Sequence, residues 1–237
     1  MTGSYVSAGG SAGSASARRS LASALTALEL ELDELAQEQL VAFSEMVVEW
    51  GKSRNLSGHG DVRSVIEKLV VGALSLFKVL EGLPGGSDWR HVTDLGSGAG
   101  FPGIPMAILR PRARVVLVES RERRHHFQRA VRRTLGIENI EPRLGRIESL
   151  VPVASDLVLA QAVAPPSWVV AHGLRWLAPD GLMVVPGGSE APAPKFPVQE
   201  DSVESGIAFY TVPGFEANRS LWWGRRGRDS AESQNRP

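Results

Sequence analysis

The chain of 237 residues contains no cysteine, which excludes disulfides, thiolate metal sites and a cysteine nucleophile together. Neither sign of charge is in excess, since 26 basic residues face 26 acidic ones. The molecule as a whole therefore exerts no pull on polyanions, and a nucleic-acid surface has to come from local clustering. Histidine is scarce and scattered. The one close pair, His125 and His126, sits side by side on a helical pattern and does not converge on one ion, so no metal site is expected. Nothing approaches the roughly 18 to 20 consecutive apolar residues of a membrane helix. Arg18-Arg19 before "SLASALTAL" has the outline of a twin-arginine export signal. That run is short and passes straight into Glu29, Glu31 and Asp33, where a cleavage region is small and neutral. The expectation is a soluble, cytoplasmic monomer without membrane association.

An apolar content of 43% permits a sizeable core, and the length suits one α/β domain with an appendage. Residues 1–20, rich in Ala, Gly and Ser, read as a disordered tail. From Leu21 to about Lys52 apolar residues recur at helical spacing, with Leu35, Leu40, Phe43, Val47 and Trp50 along one side. "NLSGHG" breaks that helix, and "DVRSVIEKLVVGALSLFKVLEGL" makes a second with Asp61 as N-cap. Residues 21–88 thus form a helical appendage, 89–228 the main domain and 229–237 a flexible C-terminus.

In the main domain strands and helices alternate. "WRHVTDLG", "RVVLVES", "IEPRLGRI", "SDLVLAQAV" and "LMVVPGG" read as strands. "GIPMAILRP", "RERRHHFQRAVRRTLG" and "PPSWVVAHGLRWLAPDG" read as helices, and a short helix is expected through Glu148 and Leu150. Apolar, β-branched strands separated by helices predict a parallel sheet covered on both faces. Beyond a Pro-rich loop, "GIAFYTVP" and "RSLWWGRR" add two strands, read as antiparallel neighbours at the sheet edge.

At the turn from first strand to first helix stands "DLGSGAG". A parallel sheet places its ligand crevice there, and glycines let the backbone approach the ligand. A dinucleotide fingerprint has G-x-G-x-x-G facing a pyrophosphate. Here the spacing is G-x-G-x-G, with Asp94 two residues ahead of Gly96. A carboxylate there repels diphosphate and attracts a cationic amino-acid group, which favours S-adenosylmethionine over NAD. Glu119, ending the second strand, is placed to accept both hydroxyls of a ribose, as it would be in an NAD enzyme too; its plain alternative is capping the next helix. Glu148 is placed to border an adenine or simply to face solvent.

"DLGSGAGFPGIPMAI" resembles the signature of the RsmG (GidB) family, the 16S rRNA guanine-N7 methyltransferases. "EWGKSRNLSG", "LVESRERRHHFQRAV", "LGIENIEPRLGRIESL" and "AQAVAPPSWVVAHGLRWLAPDGLMVV" resemble further family segments in the same order. The resemblance implies a class I S-adenosylmethionine-dependent methyltransferase, Rossmann-like, with a mostly parallel seven-stranded sheet. It implies methyl transfer to N7 of a guanine in the 16S rRNA of the small ribosomal subunit, guanine 527 in the family. The implied cofactor residues are Asp94, Gly96, Ser97, Gly98, Gly100, Phe101, Glu119, Arg146, Ile147, Glu148 and Gln161, and the implied RNA contacts are Asn55, Arg123, Arg124 and Arg219.

The chain departs from the pattern in places. Gln161 stands where the family has arginine, and Pro186-Gly187 where it has lysine-glycine. Leu69, Gly72 and Ala73 replace a histidine, an aspartate and a serine, leaving only the basic Lys68. A divergent enzyme with another substrate and a cofactor-binding protein with little or no rRNA activity therefore stand beside the standard reading. Arginines on the helix after Glu119, at Arg110, Arg112 and Arg114, and from Arg219 to Arg228 supply local positive charge. Trp222-Trp223 would stack a base, but strand alternation sends the two rings to opposite faces.

Overall fold

A run such as Val115-Val116-Leu117-Val118 hides both faces of its strand only if helices cover the sheet on both sides. The computed structural model describes residues 12–54, 58–85, 88–187, 203–215 and 218–226, and it has that arrangement. Among these residues seven strands form one sheet: β1 (His91–Leu95), β2 (Arg114–Glu119), β3 (Ile140–Leu144), β4 (Ser155–Ala160), β5 (Leu177–Pro186), β6 (Val203–Tyr210) and β7 (Arg219–Arg226). Their order is β3-β2-β1-β4-β5-β7-β6. The first five are parallel; β7 runs antiparallel between β5 and β6. The chain moves outward from β1 through β2 to β3, then returns to build β4 and β5 on the other side. The crevice of such a sheet opens at that reversal, beyond the carboxyl ends of β1 and β4.

Helices α1 (Ala12–Leu28), α2 (Glu34–Arg54), α3 (Val62–Val65), α4 (Val71–Leu80), α5 (Gly103–Leu109), α6 (Glu122–Leu135) and α7 (Pro166–Gly173) complete the described fold. Val115 and Leu117 join a core shared with α1, α2, α4, α5 and α6. Their neighbours Val116 and Val118 face the opposite core, with Trp176, Met183 and Trp222. Phe43 of α2 lies 4.9 Å from Phe101 and 6.2 Å from Phe127 of α6, centroid to centroid. The appendage is thereby packed into the domain. Removing a fully buried ring such as Phe43 costs about 3 to 5 kcal/mol.

Several sequence expectations are corrected. Residues 12–20 are the first turns of α1, because Ala17, Leu21, Ala24 and Leu25 recur at helical spacing and are buried; residues 1–11 lie outside the described residues. The helix expected from Leu21 to Lys52 is two. Glu29, at a φ of 53°, turns the chain, and Asp33 accepts the Ala36 N–H at 2.7 Å to start α2. Asp61 does cap α3, accepting the Ser64 N–H, but Ile66–Val70 forms a π-helical turn between α3 and α4. Residues 147–149 are a turn instead of a helix. The stretch "LAPDG" belongs to β5, whose pairing with β4 is interrupted by a bulge before Leu182.

Candidate functional site

The glycine loop joins β1 to α5 at the crevice. Gly96, Gly98 and Gly100 all have positive φ, at 70°, 57° and 90°. A Cβ on Gly96 would come within 2.6 Å of Val163, and one on Gly100 within 2.3 Å of Ile104. Backbone conformation and close packing therefore both demand glycine here. The loop is held from beneath: the Ser97 N–H donates to the Val118 carbonyl at 3.0 Å, and the Gly100 N–H to Ser97 at 2.7 Å. Gln128 of α6, fully buried, donates from Nε2 to Ser97 Oγ at 2.8 Å and to the Gly98 carbonyl at 2.9 Å. Nothing in a single sequence marks Gln128, since its role depends on which face of α6 meets the loop.

Two acids close the strand ends. Asp94 is buried, and its Oδ2 accepts the Gly103 N–H in the first turn of α5 at 2.9 Å. Burial pushes its carboxyl up to about 8; the Gly103 hydrogen bond opposes that rise and the Glu119 charge adds to it. In the free protein burial therefore favours the protonated form of Asp94 at neutral pH. Glu119 is also buried. Its Oε2 accepts the Gly98 N–H at 3.0 Å and its Oε1 the Arg121 N–H at 2.8 Å. It therefore braces the glycine loop and the start of α6 together. Its Oε1 also takes the Ser120 hydroxyl at 3.5 Å, and since a carboxylate offers about four acceptor positions, one remains for a ligand hydroxyl. Arg124 Nη1 stands 3.7 Å from Glu119 and lies over Gly98, facing the crevice instead of an outer RNA surface.

The turn after β3 is tied to the same place, because the Gly145 N–H donates to the Glu119 carbonyl at 2.9 Å. Arg146 and Glu148 are exposed and stand 3.7 Å apart, while Ile147 is buried in the core. Phe101 is half-buried and shared between the Phe43 contact and a pocket.

That pocket, about 280 Å³, lies beside the loop between α4, the π-helical turn and the β6–β7 pair. Lys68, Leu69, Gly72, Ala73, Gln161 and Arg219 all line it. Departures from the family pattern that are about 90 residues apart in the chain thus meet in one cavity, while Pro186 is not among its walls. Tyr210, which no sequence motif singles out, lines it as well. Burial raises the Tyr210 hydroxyl, and Arg219, which donates a hydrogen bond to it, acts the other way. Arg219 also lies 5.9 Å from the centre of the Phe215 ring.

Of the other expected RNA contacts, Arg123 is exposed on α6 and Asn55 lies outside the described residues. Trp222 and Trp223 pack into opposite cores and form no stacking platform. No group of three His, Asp or Glu side chains among the described residues could hold an ion, and no described helix is long and apolar enough to cross a membrane.

Comparison with known proteins bears on this geometry. Residues 36–220 match the family model GidB, described as rRNA small subunit methyltransferase G. A protein of that name from Halorhodospira halophila is 33% identical over 167 residues, 70% of this chain and 77% of its own. One from Neisseria meningitidis serogroup A is 30% identical over 209 residues, covering 85% and 94%. In fold, the chain is similar to an O-methyltransferase from Bacillus cereus solved in complex with SAH. That likeness has a TM-score of 0.56 at 14% identity and covers 85% of this chain and 95% of the other.

Proposed function

The chain belongs to the GidB family, and from that membership we propose that it transfers a methyl group from S-adenosylmethionine to N7 of a guanine in the 16S rRNA of the small ribosomal subunit, in the cytoplasm. The observation that carries this reading is an adjacency. A glycine loop braced by Glu119 and Gln128 runs through Phe101 into the wall of a basic pocket that has room for a base, and Gln161, just after β4, lines the same pocket.

The cofactor supplies an electrophilic methyl group on a sulfonium. Glu119 would accept a hydrogen bond from the ribose, with Arg124 beside it. The turn at Arg146, Ile147 and Glu148 borders the adenine. Asp94, accepting from the Gly103 N–H, would hold the cofactor's cationic group as a carboxylate, its proton passing to solvent. Lys68 and Arg219 orient the target from the other side of the loop. Guanine N7 carries a lone pair and no proton, so attack on the methyl needs no general base. Alignment of the two reactants supplies most of the catalysis.

The test is transfer of labelled methyl to small subunits from cells lacking the protein, with primer extension to locate the N7-methylguanosine. Transfer that disappears in an Asp94→Ala variant supports the reading. Binding of S-adenosylhomocysteine without transfer to any ribosomal substrate would replace it with a cofactor-binding role. The meeting of Leu69, Gly72, Ala73 and Gln161 in one cavity favours a second reading, a methyltransferase whose target differs from the family's. Methylation of another RNA in the same assay would establish it.

A further inference from the structure

Beside the target pocket runs a wider cleft of about 1000 Å³, between α1, α3 with the π-helical turn, and the loop at 213–215. The two spaces share Lys68 and Phe215 as lining, so they adjoin. Helix α1 forms a whole wall of the cleft, although it precedes the part of the chain that matches the family model, which begins at residue 36. Cations line the cleft on both sides: Arg19 from α1, Arg63 from α3 and Lys68 from the π-helical turn. The one acid in its lining is Glu67. It accepts from Arg63 Nε at 2.7 Å and from the Ser20 hydroxyl at 2.8 Å, and the Arg63 hydrogen bond holds its carboxyl below the usual range. With Glu67 matched by Arg63, Arg19 and Lys68 remain, and neither has an ion pair among the described residues. Their charge faces an open channel that leads away from the reacting base.

We propose that this cleft binds the single-stranded RNA backbone flanking the target base, with Arg19 and Lys68 on its phosphates. The inference rests on the rRNA methylation proposed above and adds the path of the strand. Phosphate contacts fix register and orientation without reading sequence. They suit a channel lined by cations and serine hydroxyls, with Phe215 at the junction where the strand turns its base into the pocket. The basic groove along α6 is the weaker candidate, because it shares no lining residue with the target pocket.

The test is binding of a fluorescently labelled single-stranded oligoribonucleotide to the full chain, in the presence of S-adenosylhomocysteine, as salt is raised from about 50 to 200 mM. Removing one cation from the phosphates of a single strand lowers the slope of log affinity against log salt by about 0.7. Arg19→Gln and Lys68→Gln are each expected to shift the slope by that amount, and the double variant by about twice as much. Arg18→Gln is the control: Arg18 borders a second flank of α1 with Glu34 and Glu38, which Arg19 also touches, but unlike Arg19 it does not line this cleft. Both cleft residues are exposed, and melting curves establish that each variant is folded. Unchanged slopes for Arg19→Gln and Lys68→Gln, or an equal shift in Arg18→Gln, overturn the proposal. Methyl transfer to small subunits is measured on the same samples. Absence of transfer by the parent protein would instead remove the functional reading, whatever the slopes.

Discussion

Asparagine at position 94 keeps the size of the side chain and an oxygen for the Gly103 N–H, but cannot titrate. The parent carboxyl has an ordinary value of 3.8 and is pushed by burial to about 8. Folding therefore favours the protonated form. That contribution to stability is complete below pH 3.8 and is lost as the pH rises through about 8. Between those limits the loss is about 1.4 kcal/mol per pH unit, so from pH 5 to pH 7 the parent should weaken by about 2.7 kcal/mol relative to Asp94→Asn. For a chain of this length that difference corresponds to about 5 to 10 °C in melting temperature. The assay is thermal unfolding of both proteins at the two pH values without cofactor. Only the difference of differences counts, which cancels every other titrating group and any constant cost of the amide. A parent whose midpoint falls further than the variant's supports the buried, protonated carboxyl. Parallel curves would refute it. S-Adenosylhomocysteine extends the test: its binding to the parent should release a proton, seen calorimetrically as an enthalpy that changes with buffer, and binding to Asp94→Asn should not.

Three further outcomes follow from the same geometry. Gly103→Ala places a Cβ 2.4 Å from Leu117 and 2.7 Å from Asp94 Oδ2, and should cost about 1 to 3 kcal/mol in denaturant titrations; an unchanged midpoint would contradict the packing. Gln128→Ala removes the amide donor from Ser97 Oγ, which keeps its bond to the Val118 carbonyl, and from the Gly98 carbonyl. It should destabilise by about 1 to 3 kcal/mol and weaken S-adenosylhomocysteine binding at least about tenfold; calorimetry showing parental affinity would remove Gln128 from the site. Glu119→Gln should lower that affinity by about 1.5 to 3 kcal/mol, the usual worth of hydrogen bonds to a charged group, and undiminished binding would exclude Glu119 as the ribose acceptor.

Much of the fold is legible in the sequence because its signals are local. Each parallel strand is a short β-branched run, and Gly136, at a φ of 63°, closes α6 where the sequence places a stop. The first turns of α1, before Leu21, escape such a reading because a Gly-, Ala- and Ser-rich stretch offers few large apolar side chains, although Ala17 already begins the stripe that Leu21, Ala24 and Leu25 continue. The glycine loop and the two acids are legible because special backbone geometry leaves glycine in the sequence. Gln128, Tyr210 and the turned-in Arg124 are not. Their roles depend on which distant backbone or carboxylate each one meets, and periodicity carries no such information. The protonation of Asp94 is hidden for a related reason, because desolvation is a property of the finished core.

Phe101 belongs at once to the glycine loop, to the wall of the target pocket and, through Phe43, to the helix that carries Trp50. One ring thus borders both the place proposed for the methyl donor and the place proposed for its acceptor. Whatever free energy one occupant gains or loses by nudging that ring is returned in equal measure to the other. The two halves of the reaction are in this way thermodynamic partners, and the sequence in which they load changes the route but not the sum.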